Sequence, residues 1–177
     1  DQDLEKEIME SDYQLKNEFV DAFDVALRMP SITYKERCVF DLGGLTVLTQ
    51  LVESDHTTDC SVVFIPEEKI LFIGDCLYCG SERGQYYLDR LRYLTLMKTL
   101  LHFPAELYLD SHRQPITRAR LTATLEKVTR IAEASIEYPD VAEALRFLQM
   151  QNGFEADDEI SFFLKAFENG EQRKPRY

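Results

Sequence analysis

Residues 55–75 read DHTTDCSVVFIPEEKILFIGD and predict two strands joined by a short turn. Ser61–Ile65 and Ile70–Ile73 are rich in β-branched and aromatic residues, which favour strands. Pro66–Lys69 between them has the composition of a tight turn, so the two strands are expected to form a hairpin. Because neither run alternates apolar with polar residues, we expect both strands to be buried on both faces.

The sequence on either side of this hairpin predicts an α/β domain. Upstream, two further strands, Arg37–Leu42 and Leu45–Val52, flank the turn signal of consecutive glycines at 43 and 44. The remaining elements are predicted as helices over 3–28, 83–102, 117–136, 140–151 and 157–169, with a short strand at Glu106–Leu109. This order favours a small sheet with helices covering one face.

Composition and charge restrict the classes of function. The chain has 177 residues, and we expect one domain over residues 1–171 followed by a basic, mobile tail over 172–177. Its formal net charge of −12 repels phosphate backbones, so no nucleic-acid partner is expected. No apolar run has the length of a membrane span, and no signal-peptide pattern opens the sequence. Four cysteines are too few for a disulfide scaffold, so the cytoplasm is the expected location.

Three polar residues lie at the ends of apolar strands. His56 precedes Ser61–Ile65, Asp75 follows Ile70–Ile73, and His112 follows the predicted strand Glu106–Leu109. Side chains at strand ends converge on shared clefts while the strands hold them in place. Two imidazoles and one carboxylate form a plausible ligand set for zinc, iron or manganese. Roles as turn formers or surface residues are the alternative for each of them.

The sequence motifs around these residues resemble those of the metallo-β-lactamase fold superfamily. That family has a His-Thr or His-Ser loop, a strand, a Pro-Glu-Glu-Lys-like hairpin, a second strand and a terminal Gly-Asp. The resemblance implies that His56 is a metal ligand and that Asp75 bridges two metal ions. The family's final His corresponds to His112, although Ser111 stands where the family usually has Gly. The resemblance covers roughly residues 22–130.

The resemblance also implies a particular architecture. The family is an αββα sandwich of two similar halves, and this chain resembles the second half with its preceding helix. The family's main signature, His-x-His-x-Asp-His, is not present, because the sequence has only three His, at 56, 102 and 112. We therefore expect a half or partial sandwich, with a mostly antiparallel sheet covered by helices, and an incomplete metal site in this chain.

The function that the resemblance implies is that of a metal-dependent hydrolase. Up to two ions of zinc or another divalent metal would activate a bound water for hydrolysis of an ester, thioester, amide or phosphodiester, with Asp75 holding the ions and orienting the water. The alternative is a non-catalytic remnant or subunit that acts as a protein-interaction or oligomerisation domain. Its inner sheet face would then be covered by a homodimer partner or by the missing N-terminal half. A small-molecule binding module without metal is a third possibility.

Two other features have simpler interpretations. Cys76 and Cys79 form a single Cys-x-x-Cys, whereas zinc ribbons need two such pairs, so these residues are expected to be small buried or loop thiols. His102 ends a predicted helix, where a cation suits the helix dipole.

Overall fold

The computed structural model describes residues 30–151 and 158–173. The helix predicted over 3–28 and most of the predicted basic tail lie outside the described residues. The elements below all belong to one compact unit that spans Lys35–Tyr177.

Six strands form the main sheet, and two more form a separate hairpin. The strands are β1 (Arg37–Asp41), β2 (Thr46–Leu51), β3 (Ser61–Ile65), β4 (Ile70–Gly74), β5 (Gly80–Glu82), β6 (Gln85–Tyr87), β7 (Leu107–Asp110) and β8 (Ile116–Thr117). The sheet order is β1-β2-β3-β4-β7-β8, with β5 and β6 paired apart from it. All its neighbours are antiparallel except β4 and β7, which run parallel.

Four helices are formed by the described residues. They are α1 (Arg90–His102), α2 (Arg118–Glu137), α3 (Val141–Gln149) and α4 (Asp158–Glu171). The first three begin at Asp89, Thr117 and Asp140, whose side chains accept hydrogen bonds from backbone N–H groups of the first turn. None of these helices combines the length and the apolar character that a membrane span requires.

The core lies between one face of the sheet and the helices. Val62 and Phe64 on β3 and Leu71 and Ile73 on β4 are buried in one cluster with helix residues such as Met97. Val63 and Phe72 point to the opposite face, and Phe72 is 43% exposed. The expectation that both hairpin strands are buried on both faces is therefore wrong, since the side chains alternate between a buried and a more open face. The predicted mixed α/β fold, with a mostly antiparallel sheet and helices, is confirmed.

The helix predicted over 83–102 begins later than expected. Gly80–Glu82 and Gln85–Tyr87 form a hairpin instead, and α1 starts only at Arg90. The turn residues Arg83 and Gly84 both have positive φ, 51° and 78°. Two consecutive positive φ values are typical of hairpin turns and are incompatible with a right-handed helix. The leucine and tyrosine spacing alone did not reveal this turn.

The parallel pair of β4 and β7 places two loops at the same sheet edge. Gly74 at the end of β4 is in register with Asp110 at the end of β7. Carboxyl ends of parallel neighbours meet at one edge, so Asp75 and the residues after Asp110 lie side by side. Gly74 has a φ of 52°, in the left-handed region, and this bend leads the chain from β4 into Asp75.

Replacing Gly74 with alanine is expected to lower the free energy of unfolding by about 1 kcal/mol, since a Cβ is strained at this φ. Gly74→Asn should cost less, because asparagine adopts this conformation more readily. Urea denaturation of both variants measures the difference. An alanine variant as stable as the parent chain would contradict the assigned bend.

Candidate metal centre

Asp75 lies between the two predicted histidines. Its Oδ1 is 3.3 Å from His112 Nε2, and its Oδ2 is 3.7 Å from His56 Nε2. The three residues predicted from strand ends are therefore brought together, with each imidazole against a different oxygen of one carboxylate. This pairwise convergence on Asp75 defines the candidate metal centre.

The central carboxylate has an unsatisfied oxygen. Asp75 Oδ1 is buried and has no hydrogen-bond partner among the described residues, although the side chain as a whole is 34% exposed. A buried acceptor without a partner is costly, and such atoms in native structures usually meet an ion, a water or a ligand. Both histidines are open to solvent at one side, with His56 38% and His112 67% exposed.

The His56 loop is fixed by Ser54. The Ser54 hydroxyl donates to the backbone carbonyl of Cys76 at 2.7 Å and accepts from the His56 backbone N–H at 3.0 Å. One buried side chain thus joins the loop before β3 to the loop after β4. The separation of His56 from Asp75 depends on this link.

Asp55 anchors the same loop to the start of helix α1. Its side chain is only 1% exposed and accepts from the Asp89 backbone N–H at 2.9 Å and from Arg92 Nη1 at 2.7 Å. Burial raises the pKa of Asp55, and these two donors offset that rise only in part. Asp55, which directly precedes His56, is therefore held by Asp89 and Arg92, two residues at the start of α1 that lie much later in the sequence.

Asp110 organises the His112 loop. Its Oδ1 accepts from the backbone N–H groups of His112 and Arg113, at 2.9 and 3.1 Å, and from the Tyr78 hydroxyl at 3.0 Å. Its Oδ2 pairs with the Arg113 guanidinium at 2.8 Å. Burial alone raises the pKa of Asp110, but the hydrogen bonds and the charge of Arg113 outweigh burial and hold the pKa below its usual range.

The ring of Tyr78 lies beside both histidines. Its centroid is 6.2 Å from that of His56 and 5.5 Å from that of His112, both in edge-to-face arrangements. Arg113 stacks over the same ring at 4.7 Å, and burial followed by the bond to Asp110 raises the pKa of the Tyr78 hydroxyl. Sequence reasoning missed Tyr78, Asp110 and Arg113 as a supporting group. Their positions next to Asp75 and His112 in the chain were the available signal.

The cysteines near the site are structural. Cys76 is 1% exposed, and burial raises the pKa of its thiol far above the usual value. Cys79 is half-buried, and both are free thiols, which confirms the interpretation as small buried or loop residues. His102 is the last residue of α1, as predicted, and lies apart from the other two histidines.

The donor atoms fit a divalent cation, but only in part. Two ligands that each lie about 2.0–2.2 Å from a tetrahedral zinc ion are about 3.4 Å apart, close to the separation between His112 and Asp75. Imidazole nitrogen and carboxylate oxygen are ligands that zinc, iron and manganese accept. Over residues 30–151 and 158–173, however, no three His, Cys, Asp or Glu side chains are arranged to hold an ion by themselves.

Solved structures with related folds match this chain in part. A double mutant of the sec-alkyl sulfatase PisA1 is 16% identical, with a TM-score of 0.54 over 79% of this chain and 26% of its own length. A metallo-beta-lactamase from Pontibacter korlensis is 25% identical, with a TM-score of 0.44 over 56% of this chain and 48% of its own. An archaeal metallo-beta-lactamase superfamily protein from Sulfolobus tokodaii is 13% identical, with a TM-score of 0.46 over 91% of this chain and 59% of its own length. No family model and no curated protein matches the sequence.

These matches concern the fold. Several of the matched structures are described as metallo-beta-lactamases or metallo-beta-lactamase superfamily proteins, and each is matched over only part of its length. The chain spans between 26% and 59% of the three structures described above.

Replacing Asp110 with alanine is expected to lower the free energy of unfolding by about 2 kcal/mol, because two backbone N–H groups and the Tyr78 hydroxyl lose their shared acceptor and Arg113 loses its ion pair. Tyr78→Phe removes one of these hydrogen bonds and should cost about 1 kcal/mol. Urea denaturation with unchanged m-values tests both. Equal, negligible effects of the two variants would show that Asp110 does not organise the loop.

Proposed function

We propose that this chain contributes His56, Asp75 and His112 to the metal centre of a metal-dependent hydrolase. The observation that carries the proposal is the convergence of both Nε2 atoms on the two oxygens of Asp75, one of which is buried and accepts no hydrogen bond from the described residues. A purely structural carboxylate at this position would be expected to have its buried oxygen satisfied. Zinc or another divalent metal suits the donor set.

Within this proposal each residue has a definite task. A divalent cation, when bound, lowers the pKa of water and polarises the bond to be cleaved. Asp75 offers one oxygen beside each imidazole, so it is the residue able to serve two ion positions. Asp110 and Ser54 hold the backbones of His112 and His56, which keeps both imidazoles directed at Asp75 before any ion arrives.

The proposed site needs more ligands than these three. Catalytic zinc has about three protein ligands and structural zinc has four, whereas each imidazole here shares only one carboxylate. We propose that a further protein segment outside the described residues completes the site. A cleft of about 630 Å³ lies beside His56, with Arg92 and Tyr87 in its wall. We propose that the substrate binds in this cleft.

Zinc added to the purified chain is expected to bind weakly, and the affinity should fall more than about tenfold in His56→Ala, His112→Ala and Asp75→Asn. Competition with a chromophoric chelator measures this without any activity assay. His102→Ala is the matched control, since it removes the one other histidine of the chain and should leave zinc binding unchanged.

Two outcomes would contradict the metal centre. One is zinc binding that survives all three substitutions. The other is equal loss in the His102→Ala control, which would place the ion elsewhere or show non-specific binding. Circular dichroism of each variant separates loss of ligands from loss of fold.

The open face of the sheet supports a second candidate function, that of an interaction domain. Val63, Phe72 and Leu109 are direct neighbours across β3, β4 and β7, and Phe72 at the centre is 43% exposed. Burying such a phenylalanine contributes about 1.5–3 kcal/mol. We propose that a second copy of this chain covers this apolar row.

Light scattering at increasing concentration is expected to show a dimer that Phe72→Lys converts to monomer, since a charge in the apolar row is costly to bury. Leu91→Lys is the control, because Leu91 is 77% exposed on a helix and lies outside this face. A parent chain that stays monomeric at high concentration would overturn this second proposal.

A further inference from the structure

A groove lies between helix α1 and the first three strands, away from the candidate metal centre. It encloses about 610 Å³, a volume typical of small-molecule sites. None of His56, Asp75 and His112 lines it. Any ligand bound there is therefore separate from the proposed hydrolase chemistry.

The floor of the groove is apolar. Phe64 is 6% exposed, and its ring packs against that of Phe103 with centroids 5.5 Å apart. Leu48 lies directly opposite Phe64 in the strand register, and Val39 extends the same row to the edge strand, where it is 51% exposed. The apolar row is therefore buried at Phe64 and becomes exposed to solvent toward Val39.

The rim of the groove is polar and cationic. Thr95, Lys98, Thr99 and His102 recur at helical spacing along one side of α1, and all four line the groove. On the sheet side, Arg37 pairs in register with Gln50, next to the apolar row. The groove thus has basic and polar groups beside an apolar floor.

The charges of this rim are unusual for the chain. The protein has a net charge of −12, yet among the described residues no Asp or Glu lines the groove. Neither Arg37 nor Lys98 has a described carboxylate within ion-pair distance, unlike Arg92 and Arg113 at the candidate metal centre. Two cations that have no acidic partner within the described ranges, on a protein of net charge −12, are complementary to an anionic ligand.

We propose that this groove binds small amphipathic carboxylates. The apolar body of the ligand packs on Leu48, Phe64 and Phe103, and its carboxylate faces Arg37 and Lys98. A guanidinium and an ammonium both suit a carboxylate, with the guanidinium able to bind it through two hydrogen bonds.

Calorimetric titration of the full 177-residue chain with octanoate tests the proposal, with octanol and octylammonium as matched ligands that lack the negative charge. Octanoate is expected to bind saturably and more tightly than either. Lys98→Glu should weaken octanoate about fivefold or more, because an attraction at the rim becomes a repulsion. Arg120→Glu, the same charge change at an exposed site on α2 outside the groove, should have no effect.

A second variant, in which a larger side chain occupies the groove, tests the proposal without changing any charge. Thr95 is exposed on α1 and lines the groove, so Thr95→Trp should occupy the space and abolish octanoate binding without disturbing the core. Octylammonium binding as tightly as octanoate, or octanoate binding that both Lys98→Glu and Thr95→Trp leave unchanged, would overturn the proposal. Loss of zinc binding in His56→Ala and His112→Ala does not bear on this result, since neither residue lines the groove.

Discussion

The parallel pairing of β4 with β7 is the constraint on which the candidate site depends. In an otherwise antiparallel sheet, this one parallel neighbour brings the carboxyl ends of two strands to the same edge. Asp75 and His112 leave the sheet there side by side, and the left-handed bend at Gly74 directs the first of them. Without parallel pairing, the ends of these strands would lie at opposite edges and the carboxylate would have no imidazole beside it.

Two buried carboxylates fix the loops that carry His56 and His112 at this edge of the sheet. Asp55 connects the His56 loop to the beginning of α1, and Asp110 gathers the His112 backbone, Arg113 and Tyr78. Both are fully or almost fully buried, yet both are hydrogen-bonded, which is the condition under which buried charge is tolerated. Asp75 differs, because its buried Oδ1 accepts no hydrogen bond from the described residues and faces only the imidazole of His112. The supporting carboxylates are fully hydrogen-bonded and the central one is not, and the proposal of a metal centre at Asp75 rests on this contrast.

Local sequence was informative where local forces decide structure. The four strands from Arg37 to Gly74 and the starts of α2 and α3 follow from β-branched runs and capping side chains, and the structure places them close to the predicted positions. The β5–β6 hairpin escaped prediction, because Tyr87 continues the helical spacing of the leucines that follow it, while the positive φ at Arg83 is incompatible with a helix. The grouping of Tyr78 with Asp110 also escaped, since hydrogen bonds between residues far apart in the chain leave no periodic pattern.

Most of the strands and helices, and the side chains available for chemistry, could be predicted from local sequence. His56, Asp75 and His112 were identified from the strand ends and from the resemblance carried by residues 55–75. The placing of the two imidazoles beside different oxygens of Asp75, and of Arg37 and Lys98 beside one apolar groove, became visible only in the folded chain. The physical reason is that propensity and capping act over a few neighbouring residues, whereas these arrangements arise from strand register and helix packing between distant segments.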